Sequence, residues 1–210
     1  SAGVLVENTA PALGEVMISP DTEVVLDSVL TCTGAVADPD EDGLVPSYAW
    51  VISATEVGTG AELDLRTTAA QPLDSVSCQI SVFDSHGASD SAADMVQIDN
   101  RLPTEPTVEI TPESPTVSVD DLVCSASGST DADGQDLSYR YAWVSDLGAS
   151  QTGDTVPAAA TVAEAVWTCT AVVSDGIGET SASASVVVAA VLVQLVVIII
   201  IIIIISHQME

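Results

Sequence analysis

Asp38, Asp40 and Asp42 alternate through the stretch DPDEDG with Gly43 behind them, and Asp131, Asp133 and Asp136 surround Gly134 in DADGQD. Carboxylates at this spacing can turn several oxygens toward one point. Ca²⁺ takes roughly six to eight oxygen ligands, and a glycine permits the sharp bend between them. Calcium is therefore the cofactor expected of these two loops. Two features favour the alternative of plain solvated turns: no bidentate glutamate follows at EF-hand spacing, and Asp/Gly stretches are common between strands. Both readings stand at this stage.

Other reactive groups do not assemble into a mechanism. Asp84, Ser85 and His86 are consecutive, so they cannot serve as orienter, nucleophile and base of a triad. The second histidine, His207, lies near the C-terminus. Carboxylates are plentiful, but aromatic residues make up only 3% of the chain, and no aromatic-lined sugar cleft is indicated. No phosphate-cradling glycine loop occurs. The chain is expected to be no enzyme and to take no small-molecule substrate.

The elements that hold these loops are legible from an internal duplication. LTCTGAVADPDEDGLVPSYAWVIS in the first half answers LVCSASGSTDADGQDLSYRYAWVSD in the second, and SVSCQISVFDSHG answers VWTCTAVVSDG. Matching features are offset by 92 residues (Cys32 to Cys124), 93 (Trp50 to Trp143) and 91 (Cys78 to Cys169). Proline-rich joints, NTAPALGEVMISP and NRLPTEPTVEITP, open the two units. The division expected is residues 1–8 as the last strand of a preceding unit or an inter-subunit strand, 9–100 and 101–190 as two domains, and 191–210 as a hydrophobic C-terminal segment. Within each unit the period is two: Tyr48, Trp50 and Ile52 share a face, as do Val76, Cys78, Ile80 and Val82, and Trp167, Cys169, Ala171 and Val173. Both units should be antiparallel β-sandwiches, an all-β chain.

Four cysteines allow three pairings, and the repeat selects Cys32 with Cys78 and Cys124 with Cys169. Closing loops of this length stabilises each unit by roughly 4 kcal/mol in the chain-entropy model. Disulfides imply an oxidising compartment, outside the cell or at its surface. A zinc site would need Cys-x-x-Cys spacing or a histidine pair, and neither is present.

The order Cys, Trp, Cys within each unit resembles the immunoglobulin-like sandwich, in which an inter-sheet disulfide packs on a buried tryptophan. With the DG…YxYxW and WxCxxxVSDG stretches it also resembles the PKD-type repeats found in tandem in bacterial surface proteins. The resemblance covers about residues 9–190. It implies that Trp50 and Trp143 take the core tryptophan position and the four cysteines the disulfide positions. Unit one carries Val76 where unit two carries Trp167, and neither has the corner tyrosine of antibody-type domains.

Charge and the C-terminus bound the partners. Asp and Glu number 31 against three arginines and no lysine, a net charge of −28. Phosphate binding needs a basic patch, so a nucleic-acid partner is excluded. Residues Val186 to Ile205 form an aliphatic stretch broken in polarity only by Gln194, ending in eight isoleucines. As a whole it matches a membrane helix in length. If the sandwich uses residues up to about Ala190, Val191 to Ile205 give about 22 Å of helix or about 50 Å of strand. A membrane anchor, a strand paired with a neighbouring subunit, and a stand-in for side chains of other identity are the readings the sequence offers. The function expected is a non-enzymatic extracellular structural protein of the cell surface, held by this segment. Its alternatives are a filament subunit joined by strand exchange and an adhesin-like binding ectodomain.

Overall fold

The computed structural model describes residues 7–40 and 43–191. The chain divides into two compact units, Ser1–Arg101 and Leu102–Glu210. The first contains β1 (Ala12–Ser19), β2 (Val29–Ala37), β3 (Ser47–Ile52), β4 (Thr55–Gly58), β5 (Glu62–Asp64), β6 (Ser75–Phe83) and β7 (Ser89–Gln97). They form two antiparallel sheets, β1-β2-β5 and β4-β3-β6-β7. The second contains β8 (Thr107–Thr111), β9 (Leu122–Ser127), β10 (Ser138–Ser145), β11 (Ser150–Thr152), β12 (Thr155–Val156), β13 (Val166–Ser174) and β14 (Glu179–Val187). Its sheets, β12-β9-β8 and β11-β10-β13-β14, repeat the same order. The architecture is all-β, each unit an immunoglobulin-like sandwich.

Alternation drives this arrangement. Along β6 every second residue is buried (Val76, Cys78, Ile80, Val82), and along β13 the same holds for Trp167, Cys169, Ala171 and Val173. One face of each strand therefore meets the opposite sheet while the other carries Ser, Thr and Gln to water. Cys32 on β2 bonds Cys78 on β6, and Cys124 on β9 bonds Cys169 on β13, each with Cα atoms 6.4 Å apart. Each bond thus joins the two sheets of its unit.

Trp50 pairs across the ladder with Cys78, and Trp143 with Cys169, so each core indole stands beside its disulfide. All three tryptophans are at most 2% exposed. Burying a side chain of that size contributes about 4–6 kcal/mol of transfer free energy. In the second unit Trp143 and Trp167 meet edge to face, ring centroids 6.5 Å apart. Trp167 fills the space that Val76 occupies in the first.

The sandwich of the second unit extends past β14. Ala189 makes a parallel bridge to Thr116, with Val117 N–H donating to Ala189 O and Ala189 N–H to Pro115 O. Residues 192–210 lie outside the described residues, as do residues 1–6 of the expected first strand.

Candidate functional site

The acidic loops follow β2 and β9. Asp38 Oδ1 accepts the Asp40 N–H at 2.8 Å, and Asp40 Oδ2 accepts the Thr9 N–H at 2.6 Å. Asp131 Oδ1 accepts the N–H groups of Asp133 (2.8 Å) and Gln135 (3.1 Å). Each leading aspartate therefore closes its own turn, the local bonding for which Asp is favoured there. Gly134 sits at φ +79°, a conformation that side chains with a Cβ rarely adopt. Asp42 lies outside the described residues, and Asp136 is exposed.

The second oxygen of each leading aspartate behaves differently. Asp38 Oδ2 and Asp131 Oδ2 are buried without a hydrogen-bond partner, and so are Gln135 Oε1 and Ser129 Oγ in the second loop. Buried oxygens of this kind carry a desolvation cost that a hard cation could offset. Among the described residues, however, no group of three or more His, Cys, Asp or Glu side chains converges on a point where a metal could sit. The buried oxygens of the second loop are an amide, a hydroxyl and one carboxylate oxygen.

Two further aspartates, seen in the sequence only as part of turns, are buried. Asp84, 8% exposed, accepts the Asn8 side-chain amide at 2.7 Å and the N–H groups of His86 and Ala88 at 2.9 and 2.8 Å. The Asn8 amide foremost, then the backbone donors, hold its carboxyl below the usual aspartate range against the opposing effect of desolvation. Asp175, 7% exposed, accepts the N–H groups of Ile177 and Gly178 at 2.7 and 2.6 Å. The signal available was positional: both follow directly on a disulfide-bearing strand. A hollow of about 400 Å³ beside Asp84 is lined by Glu7, Asn8, Asp40 and His86. His86 is exposed and its Nδ1 lies 3.2 Å from Ser85 Oγ. With the Asp84 carboxylate taken up by its own turn and by Asn8, these three residues form a capped turn.

Every arginine is locally paired: Arg66 with Asp64 at 2.8 Å, Arg101 with Asp27 at 3.3 Å, and Arg140 with Glu179 at 2.7 and 2.8 Å. These pairs are largely solvated and each contributes little to stability. Their consequence is electrostatic, since the few cations present sit beside carboxylates.

The class that the fold defines is the disulfide-pinned immunoglobulin-like β-sandwich, present twice. Two disulfides are the chemistry of an oxidising, extracytoplasmic location. No family profile matches the chain. No curated protein matches it. Among solved structures it is similar to three N-terminal domains of the bacteriophage RB49 outer capsid protein Hoc, at 14% identity over 86% of this chain and 71% of that one, TM-score 0.32. It is also similar to the fibronectin(III)-like modules of Clostridium thermocellum CbhA, at 14% identity over 86% and 97%, TM-score 0.30. Cadherin domains 3–6 of protocadherin gamma B2 align at 16% identity over 89% of this chain and 51% of theirs, TM-score 0.35. Likenesses of this size carry no argument about activity or partners.

Proposed function

We propose that the chain is a non-enzymatic structural protein of the extracellular side, whose sandwiches act as spacers and whose C-terminal aliphatic segment holds it in place. The observation that carries this reading is the repeated core. Each unit spends its disulfide and its tryptophan on joining two sheets, and its buried aspartates on closing turns. What remains at the surface is acidic and finely hydrogen-bonded to its own backbone. The sequence resemblance to the PKD-type repeats of bacterial surface proteins accords with this reading.

Calcium belongs to the same proposal as a stiffener of the acidic loops, with Asp131, Gln135 and Ser129 as oxygen donors in the second unit and Asp38 in the first. The buried oxygens without partners support it. Adding calcium should raise the melting temperature of the chelated protein, and Asp131→Asn should remove that rise. An unchanged melting temperature in both would end the calcium reading.

The function is tested by location and by binding. Fractionation of producing cells should place the protein outside the cytoplasmic membrane. Glycan and protein arrays probed with the folded chain should give no saturable ligand. A specific ligand held by the interstrand loops would replace the structural reading with that of an adhesin-like ectodomain.

A further inference from the structure

The two sandwiches differ at one open side. β1 and β8 are the edge strands of their three-stranded sheets, and among the described residues each forms a strand ladder with the strand that follows it alone. Ile18 stands opposite Cys32, and Ile110 opposite Cys124. The cysteine N–H groups donate away from the edge, Cys32 to Ala61 O and Cys124 to Asp154 O. These are therefore the non-hydrogen-bonded pairs of an antiparallel ladder, in which the N–H and C=O of Ile18 and Ile110 point outward.

In the first unit two of the outward donors are occupied. Ile18 N–H donates to Asp94 Oδ2 and Leu13 N–H to Asp90 Oδ2, both at 2.8 Å. Asp90 and Asp94 stand on β7, the edge of the opposite sheet, so their carboxylates reach across the open side and take the donors an incoming strand would need. Inward-pointing charges of this kind are a known guard against edge pairing.

In the second unit the guard is missing. Val96 pairs with Val76, and Val186 pairs with Trp167, the residue in the place of Val76. Asp94 therefore corresponds to Ala184 and Asp90 to Thr180, whose hydroxyl donates to Pro103 O at 2.9 Å. Among the described residues the Ile110 N–H has no partner. Beside it runs a groove of about 310 Å³ lined by Glu109, Ile110, Thr111, Ala184, Ser185 and Val186.

We infer that this groove accepts residues 192–205 of a second copy of the chain as an added strand on β8. The inference rests on the structural reading above and supplies what the aliphatic segment is held by. Three observations select this occupant. The segment carries no charge, whereas the rim bears Glu109 and Glu113 on a chain of net charge −28, which repels any acidic edge of another copy. Between Val188 and Ile205 there is no Gly, Pro, Asn, Asp or Ser, the residues that favour reversing a chain, so the sequence favours an occupant from another copy over a return to the groove beside its own Ala184–Val186. Fourteen residues extended reach about 46 Å, enough to leave one molecule and cover a five-residue edge on the next. Strand addition then satisfies Ile110 with main-chain bonds while alternate side chains pack on Ile110, Ala184 and Val186.

The test uses the full chain, dispersed in detergent and then freed of it, with sedimentation velocity and hydrogen exchange as readouts. Wild type should assemble, and exchange of the Ile110 amide should slow at least about tenfold on assembly. Ala184→Asp, which restores the guard of the first unit, should remain monomeric, while Ala184→Ser should assemble. Assembly of Ala184→Asp equal to wild type, a wild type that stays monomeric, or an Ile110 amide that exchanges equally fast in both states would overturn the inference. The exchange measurement on wild type decides the matter even if Ala184→Asp does not fold. The structural reading survives each of these failures, because it falls only to a specific ligand or a cytoplasmic location.

Discussion

At the scale of the residue, the two core tryptophans look equivalent in sequence and differ in bonding. Trp50 Nε1 donates to Gly60 O at 2.8 Å, whereas Trp143 Nε1 is buried without a partner. The connection that supplies Gly60 spans residues 59–61, and its counterpart spans only 153–154, so no carbonyl reaches the second indole. Trp50→Phe should therefore cost about 1–2 kcal/mol more than Trp143→Phe, because it gives up a hydrogen bond that is made while the other change removes a buried orphan donor. Urea midpoints of the two variants check this. Asp84 makes a second prediction. Its carboxyl is held below the ordinary value of 3.8, chiefly by Asn8, so the folded state binds this proton less readily than the unfolded chain. The stabilisation is fully present above that value and is lost as pH falls through the lower folded one. Asn8→Ala should shrink the acid sensitivity of melting below about pH 4 and leave the neutral-pH profile parallel to wild type.

At the scale of the element, the hairpin between β3 and β4 turns through Ser53 and Ala54, both at positive φ (48° and 64°). Two-residue hairpins of this hand favour Asn-Gly, since a Cβ in the left-handed region costs about 1–2 kcal/mol. Ala54→Gly should stabilise the first unit by about 0.5–1 kcal/mol once glycine's greater unfolded entropy is subtracted, as read from the denaturation midpoint. The second unit needs no such change, because its longer β10–β11 turn already places Gly148 at φ 86°. Strands, disulfide pairs and core faces could be read from the chain because each leaves a period or a repeat: Cys32 and Cys124 recur in register, and Val76 to Val82 alternate. The roles of individual aspartates could not. Asp90 and Asp94 are two acids among 31, and only the approach of β1 to β7 turns them from solvated charges into backbone acceptors. Likewise DPDEDG and DADGQD suggest converging carboxylates, but the turn that forms uses one oxygen of the leading aspartate for the backbone and buries the other.

At the scale of the whole molecule, a net charge of −28 on 210 residues sets a standing repulsion that local pairing of three arginines barely relieves. Screening length falls from about 10 Å at 0.1 M salt to about 3 Å at 1 M. The melting temperature should accordingly climb with sodium chloride over that range, and a flat profile by calorimetry would show that the acidic surface is fully relieved by its own hydrogen bonds. The inter-sheet disulfides have a further consequence, for a chain under tension. Each bond ties residues 46 or 45 apart in sequence, so a unit pulled from its ends can yield only the segments outside that loop. About half of each unit, on the order of 150 Å of contour at roughly 3.4 Å per residue, is thereby withheld from extension until the bond is reduced. The staple that reads as stability in a test tube acts in a stretched array as a stop, limiting how far each module can lengthen.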